Sequence, residues 1–356
     1  MRRILTSVLA AGLVATAACS ETTAPLDPEG VQEDVGYAAA VINTAPTMSL
    51  GALGPDINFA LADQGGMASV LELPMALLHD GNALVKRESL RQQARVELAG
   101  TTASVIPAPL LGKTMEYSVA QGRYVVGQRT GAPANGVRFV LYAVDPVTED
   151  IVTPLAETGY VDLTRTVTNQ VATARVEAYS NSNNLGKVLD YSVTLGGLLV
   201  GPTAVVSGFA RNGTDSLTFS LTSSFSLQNA TIDIDWRTAL PTRGLTSRME
   251  QTITGGEEGT IEIDGRLSSR NGSVGISGTI SRLTGGTLTV TANGRTYATI
   301  EFSPEEEEPV ILNAEGNPPT AAQLAMLRQI LDWFEDAFDV YEDLLDPVET
   351  LLDIVF

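Results

Sequence analysis

The chain has 356 residues, with 42 acidic and 22 basic side chains, a formal charge of −20, and 44% apolar against 18% charged residues. The apolar share excludes a disordered polyelectrolyte, and the negative charge sets the chain against phosphate backbones, so nucleic acid is not an expected partner. With one Cys and one His, an internal disulfide, Cys-based zinc or dithiol chemistry and a multi-histidine metal site within one chain are all excluded.

Met1-Arg2-Arg3 is a basic start, and Ile4 to Ala15 is an apolar run too short to span a bilayer comfortably. Thr16-Ala17-Ala18-Cys19 follows. Small residues leading into a Cys resemble the lipobox of exported bacterial lipoproteins, with Thr standing where Leu is commonest. The resemblance covers residues 1–19 only and extends to no family in the body of the chain. It implies that residues 1–18 are a signal peptide and that Cys19, the chain's one Cys, is acylated with palmitate or a related chain. Two or three acyl chains anchor stably where one does not. Ser20 rather than Asp after the Cys then implies the outer membrane. Loss of Arg2 and Arg3 with the signal leaves a mature chain of net charge −22.

Residues 19–35 are polar, acidic and Pro-containing, and read as a flexible tether. Residues 36–112 read as a mixed helical and irregular region. Tyr37–Thr44 and Ala83–Leu98 carry helical patterns, and Pro74, Pro107 and Pro109 interrupt.

Period-2 alternation governs residues 113–303. Leu189, Tyr191, Val193 and Leu195 alternate with Asp190, Ser192 and Thr194; Ile232, Ile234 and Trp236 alternate with Thr231, Asp233 and Asp235. Similar runs lie at 216–222, 260–267, 273–281 and 287–291. Each has one apolar and one small polar face, as half-buried strands do. Asn212-Gly213, Gly255-Gly256, Asn271-Gly272, Gly285-Gly286 and Asn293-Gly294 separate them. Asn-Gly between alternating runs signals a tight hairpin, because that turn needs positive φ twice. Gly208, Gly265 and Gly278 inside the runs suggest bulges or bends.

Residues 304–318, containing Pro304 and Glu305 to Glu308, read as an acidic Pro-rich linker. Residues 319–356 read as an amphipathic helix. Thr320 and Gln323 form a capping box, and Leu324, Leu327, Leu331, Phe334 and Phe338 follow 3–4 spacing, widened by Ile330 and Ala337. The expected fold is mainly β: a long antiparallel meander forming a curved sheet, half-barrel or barrel, with short N-terminal helices and a C-terminal amphipathic α-helix packed on it.

The sequence offers no catalytic motif, no cofactor fingerprint and no metal-ligand set. His79, in Leu77-Leu78-His79-Asp80-Gly81, is a polar turn residue, without the elbow motif of a Ser/His/Asp hydrolase. Asp233 and Asp235 share a strand face and suit either a cation or water. Trp236 and Trp333 sit on apolar faces as core or interface residues. The expected function is non-enzymatic: an envelope lipoprotein held to the membrane by its N-terminal lipid, binding an apolar ligand or an envelope protein. A structural scaffold at the outer membrane is the alternative. A membrane-inserting barrel is disfavoured by the lipobox, the missing aromatic girdles and the helical C-terminus.

Overall fold

The computed structural model describes residues 26–51, 53, 106 and 108–337, apart from loop positions 149, 169–170, 183–184, 197–200, 202, 227–228, 230, 256–258 and 306–307. Cys19, His79, the pattern at 83–98, and Phe338 onward lie outside the described residues. No described helix is long and apolar enough to cross a membrane. The chain divides into two compact units, Ala39–Leu221 in one, and the residues up to Ala38 with Thr222–Asp339 in the other. The division falls inside the stretch that sequence alone presents as one β domain.

The first unit holds helix α2 (Ala45–Gly51) and strands β1 (Lys113–Ser118), β2 (Arg123–Val126), β3 (Gly136–Tyr142), β4 (Glu157–Thr168), β5 (Val171–Ser180), β6 (Lys187–Gly196) and β7 (Thr203–Arg211), with the start of β8 (Ser216–Ser226). Its strand order is β2-β1-β3-β4-β5-β6-β7-β8. From β3 on, every pair with a recorded register is antiparallel. The exception is β1, which pairs β2 antiparallel and β3 in parallel. The nine residues between β2 and β3, Gly127 to Asn135, let the chain return along β1 without a hairpin. The connection holds Gly131, Pro133 and Asn135-Gly136, turn residues that mark a loop but not its route, so the meander expected from sequence holds from β3 onward and departs only at β1.

The alternation sorts the two faces as expected. Val161, Leu163, Val176, Ala178, Leu189, Tyr191 and Val193 are buried on one side, and α2 packs against β3 to β6. Leu50 of α2 is buried, and Ser49 Oγ lies 3.0 Å from Thr158 Oγ1.

The second unit holds α1 (Pro28–Ile42) up to Ala38, the end of β8, and β9 (Thr231–Leu240), β10 (Leu245–Thr254), β11 (Thr260–Ser269), β12 (Gly272–Ser281), β13 (Gly285–Ala292), β14 (Arg295–Phe302) and β15 (Val310–Asn313). Helix α3 covers 321–337. The strand order is β8 to β15 in chain order. Both orders are open, ending on β2 and on β15, so the closed-barrel alternative is set aside. Two stretches read as unstructured contain elements: α1 begins within the tether, and β15 lies within the acidic linker.

The turn chemistry follows the dipeptides only in part: at Asn212-Gly213 and Asn271-Gly272 the glycine alone takes positive φ, 96° and 140°. Asn293 and Gly294 both take positive φ, 48° and 77°, in the β13–β14 turn. The interior glycines serve close approach rather than bulging. A Cβ on Gly278 would stand 2.0 Å from the Thr287 carbonyl oxygen, and its φ is 152°. The register shifts fall elsewhere, at Leu141/Tyr142, Ala178/Tyr179 and Val290/Thr291.

The capping box of α3 forms: the Gln323 amide donates to Thr320 Oγ1 at 3.3 Å, and the Thr320 amide donates to Gln323 Oε1 at 2.8 Å. The buried stripe is Leu327, Ile330, Trp333, Phe334 and Ala337. Leu324 and Leu331 are only half-buried, so Ile330 and Trp333 lie at its centre. The helix meets α1, where Val31, Val35 and Ala38 are buried. Trp333 Nε1 donates to Gln32 Oε1 at 2.7 Å. It also meets β14, where Tyr297 donates its hydroxyl to the Gln323 carbonyl at 3.2 Å.

Candidate interaction face

In the first unit, the face opposite the apolar core carries an ordered array of charges and rings. Cross-strand register builds it in rows. One row runs Val140, Tyr160, Tyr179, Lys187; the next runs Arg138, Asp162, Glu177, Asp190. Side chains two apart on a strand share a face, so both rows point the same way.

Arg138 makes a bidentate pair with Asp162, Nε to Oδ1 and Nη2 to Oδ2 both at 2.7 Å. Arg175 does the same with Asp190, at 3.0 and 2.8 Å, and its Nη2 stands 3.2 Å from Glu177 Oε1. Lys187 bridges Asp190 at 2.8 Å and also donates to Glu177. Tyr160 and Tyr179 stack with centroids 4.8 Å apart and planes 17° from parallel. The Arg138 guanidinium lies 3.9 Å from the Tyr160 ring centre, and Lys187 Nζ lies 5.5 Å from that of Tyr179. The row is therefore a cation–ring–ring–cation sandwich. Its ring faces are occupied by neighbours, so it offers no flat stacking surface to a sugar.

Three cations and three carboxylates make this network neutral within a chain of net charge −20. The hydrogen bond to Asp162 holds the Arg138 guanidinium above its ordinary value. Burial opposes the charge on Lys187, but hydrogen bonds to Asp190 and Glu177 outweigh it and hold the ammonium up. Burial would raise the Asp190 carboxyl; the bonds and charges of Arg175 and Lys187 prevail and hold it below the usual carboxylate range. Near the edge, Arg129 grips Glu157, Nη1 to Oε2 at 2.9 Å, and this hydrogen bond lowers the Glu157 carboxyl.

Carboxylates held low contribute stability that is complete above their unfolded values and is lost as pH falls through the folded ones. Urea midpoints should therefore be flat across neutral pH and fall below about pH 4. Arg129→Gln should reduce that fall, because Glu157 then titrates as in the unfolded chain. A midpoint unchanged between about pH 5 and pH 2 would contradict the paired geometry.

The residues singled out from sequence are partly placed. Asp233 and Asp235 share the solvent face of β9 but do not act as a pair. Asp233 accepts from Thr252 Oγ1 at 2.8 Å. Asp235 is held by Arg237 at 2.6 Å, with Arg248 at 3.7 Å, and the Arg237 hydrogen bond lowers its carboxyl. Trp236 and Trp333 are 1% and 0% exposed, as core residues are. Among the described residues, no cluster of three or more His, Cys, Asp or Glu is arranged to hold a metal ion. The array on β3 to β6 was not singled out. Its one local trace is Arg175-x-Glu177-x-Tyr179, a period-2 run of large polar residues in a chain with few bases.

No family model matches the chain, and no curated protein or solved structure matches it.

Proposed function

We propose that the chain is a lipid-anchored envelope protein, held to the outer membrane through Cys19, which acts without catalysing a reaction, as a binding module for an envelope partner. The observation that carries this reading is the array on β3 to β6. Arg and Tyr are the residue types that dominate binding energy at protein interfaces. Here they are fixed in advance by bidentate pairing and ring stacking, so docking costs little side-chain entropy. The Asp190 carboxyl, paired with Arg175 and Lys187, is held below the usual carboxylate range, which suits recognition and leaves it a poor general acid at neutral pH.

The test is mild crosslinking and native mass spectrometry of the protein after gentle detergent extraction. A stoichiometric protein partner is expected. Its yield should fall about tenfold or more in a Tyr160→Ala/Arg175→Ala variant. A bound noncovalent lipid in place of a protein would move the reading to an apolar-ligand carrier. A bare, strictly monomeric chain would overturn the binding role.

A further inference from the structure

On β9, the side opposite Ile232, Ile234 and Trp236 carries Asp233, Asp235 and Arg237, and the antiparallel register extends it across the second unit in straight rows. Arg237, Arg248 and Arg266 stand directly opposite one another on β9, β10 and β11. One step along the strands, Asp235, Glu250 and Asp264 do the same. Both rows then run into small residues: Gly275 and Thr291 after the arginines, Ser277 and Thr289 after the carboxylates. Together the two rows are neutral, in a chain of net charge −20.

Like charges directly opposite in adjacent strands are destabilising, and alternating signs would favour the ladder. Pairing along the strand offsets part of that cost. Arg237 takes Asp235, Nε to Oδ1 at 3.0 Å and Nη2 to Oδ2 at 2.6 Å, and Arg248 takes Glu250. On β11 the same spacing leaves the charges apart. Arg266 Nε donates to Ser268 Oγ at 3.3 Å, and among the described residues neither Arg266 nor Asp264 is in an ion pair. Both are exposed. One cation and one anion are thus uncommitted on the same strand face.

A single operation gives both rows opposite charges to face. A half-turn about an axis that lies in the plane of contact, between the rows and parallel to them, lays the arginine row of a second copy on the carboxylate row of the first. Arg237 then faces Asp235, Arg248 faces Glu250 and Arg266 faces Asp264. Each pair occurs twice, because the contact is the same seen from either copy.

We propose that this face of β9 to β13 is the contact surface of a two-fold symmetric dimer of the chain, with reciprocal Arg266–Asp264 pairs across it. Five strands about 4.8 Å apart and about 33 Å long present about 800 Å², the area per partner of a standard interface. Packed sheets stand about 10 Å apart, and the small residues of β12 and β13 leave room for that approach. The chain's negative total does not prevent it. Screening acts over about 8 Å at physiological salt, so the facing rows outweigh charges on the far sides of the two copies.

Sedimentation equilibrium of the purified full chain in density-matched detergent tests this. A reversible monomer–dimer equilibrium is expected at about 0.1 M salt, shifting to monomer at about 1 M, where the screening length shortens to about 3 Å. Arg266→Asp and Asp264→Arg should each weaken the dimer about tenfold or more, since each sets like charges face to face at two places. Mixing the two variants should restore association as a one-to-one heterodimer, because every facing pair is then of opposite sign. Both side chains are exposed, so the variants keep their fold, which circular dichroism checks. A chain that stays monomeric at about 0.1 M salt and its highest soluble concentration would overturn the proposal. So would a dimer that the single variants leave unchanged, or a mixture that stays monomeric. The variants leave the array on β3 to β6 intact, so these outcomes are separate from the capture of an envelope partner there.

Discussion

Replacing Trp333 by Ala is expected to lower the unfolding free energy by about 3–5 kcal/mol. The side chain is 0% exposed in the middle of the stripe that α3 presents to α1. Its removal leaves a cavity beside Ile330 and Phe334 and takes the indole donor from Gln32, an exposed side chain that water can then satisfy. Trp333→Phe separates the two contributions. It keeps most of the apolar volume and loses the N–H bond to an exposed acceptor, and should cost about 0.5–1.5 kcal/mol. Urea unfolding measures both, as a fall in midpoint at constant slope. A loss below about 1 kcal/mol for the Ala variant would mean that the α1–α3 contact contributes little to the folded state.

The second large effect is expected at Asp162. Asp162→Ala leaves the Arg138 guanidinium, 20% exposed, without the carboxylate that takes two of its donors, while it still lies over Tyr160. A fully buried ion pair broken on one side costs about 3–5 kcal/mol, and the residual exposure of Arg138 brings the expectation down to about 2–3. Arg138→Met/Asp162→Leu should recover most of that loss, because no charge is then left without a partner. The double-mutant cycle decides. If the double variant is as unstable as the two single losses added together, the two side chains do not act as a pair.

Most of the second unit is legible in the sequence, and for a local reason. Strands such as Thr231–Leu240 and Gly285–Ala292 alternate strictly, and Asn-Gly turns fix register within a few residues, so each hairpin is written in contiguous chain. The capping box at Thr320 and Gln323 is legible on the same ground. The parallel β1–β3 pairing is not, because it depends on how a nine-residue connection is routed, and its turn residues, Gly131, Pro133 and Asn135-Gly136, read as an ordinary hairpin loop. The α3 stripe is legible apart from its exact centre: Leu324 and Leu331 turn out half-buried, while Ile330 and Trp333, also read as apolar-face residues, are fully buried. The array on β3 to β6 is the least legible feature. Arg138, Asp162, Glu177 and Asp190 are scattered over more than fifty residues, and only the register of four strands lines them up. A carboxylate in a strand looks the same in sequence whether it faces water or a guanidinium. Asp233 and Asp235 show this, since their shared face was readable but their separate partners, Thr252 and Arg237, were not.

The two units each end on a strand of four residues, Arg123–Val126 and Val310–Asn313. Open sheets invite incoming chains, because the outer row of amides and carbonyls is a template for addition. A four-residue border presents few such groups. Arg123 puts a charge on the first border, and Pro309, which has no amide hydrogen, stands with exposed Glu308 directly before the second. A protein with long alternating strands and interior glycines thus carries its own protection against templated polymerisation at both borders.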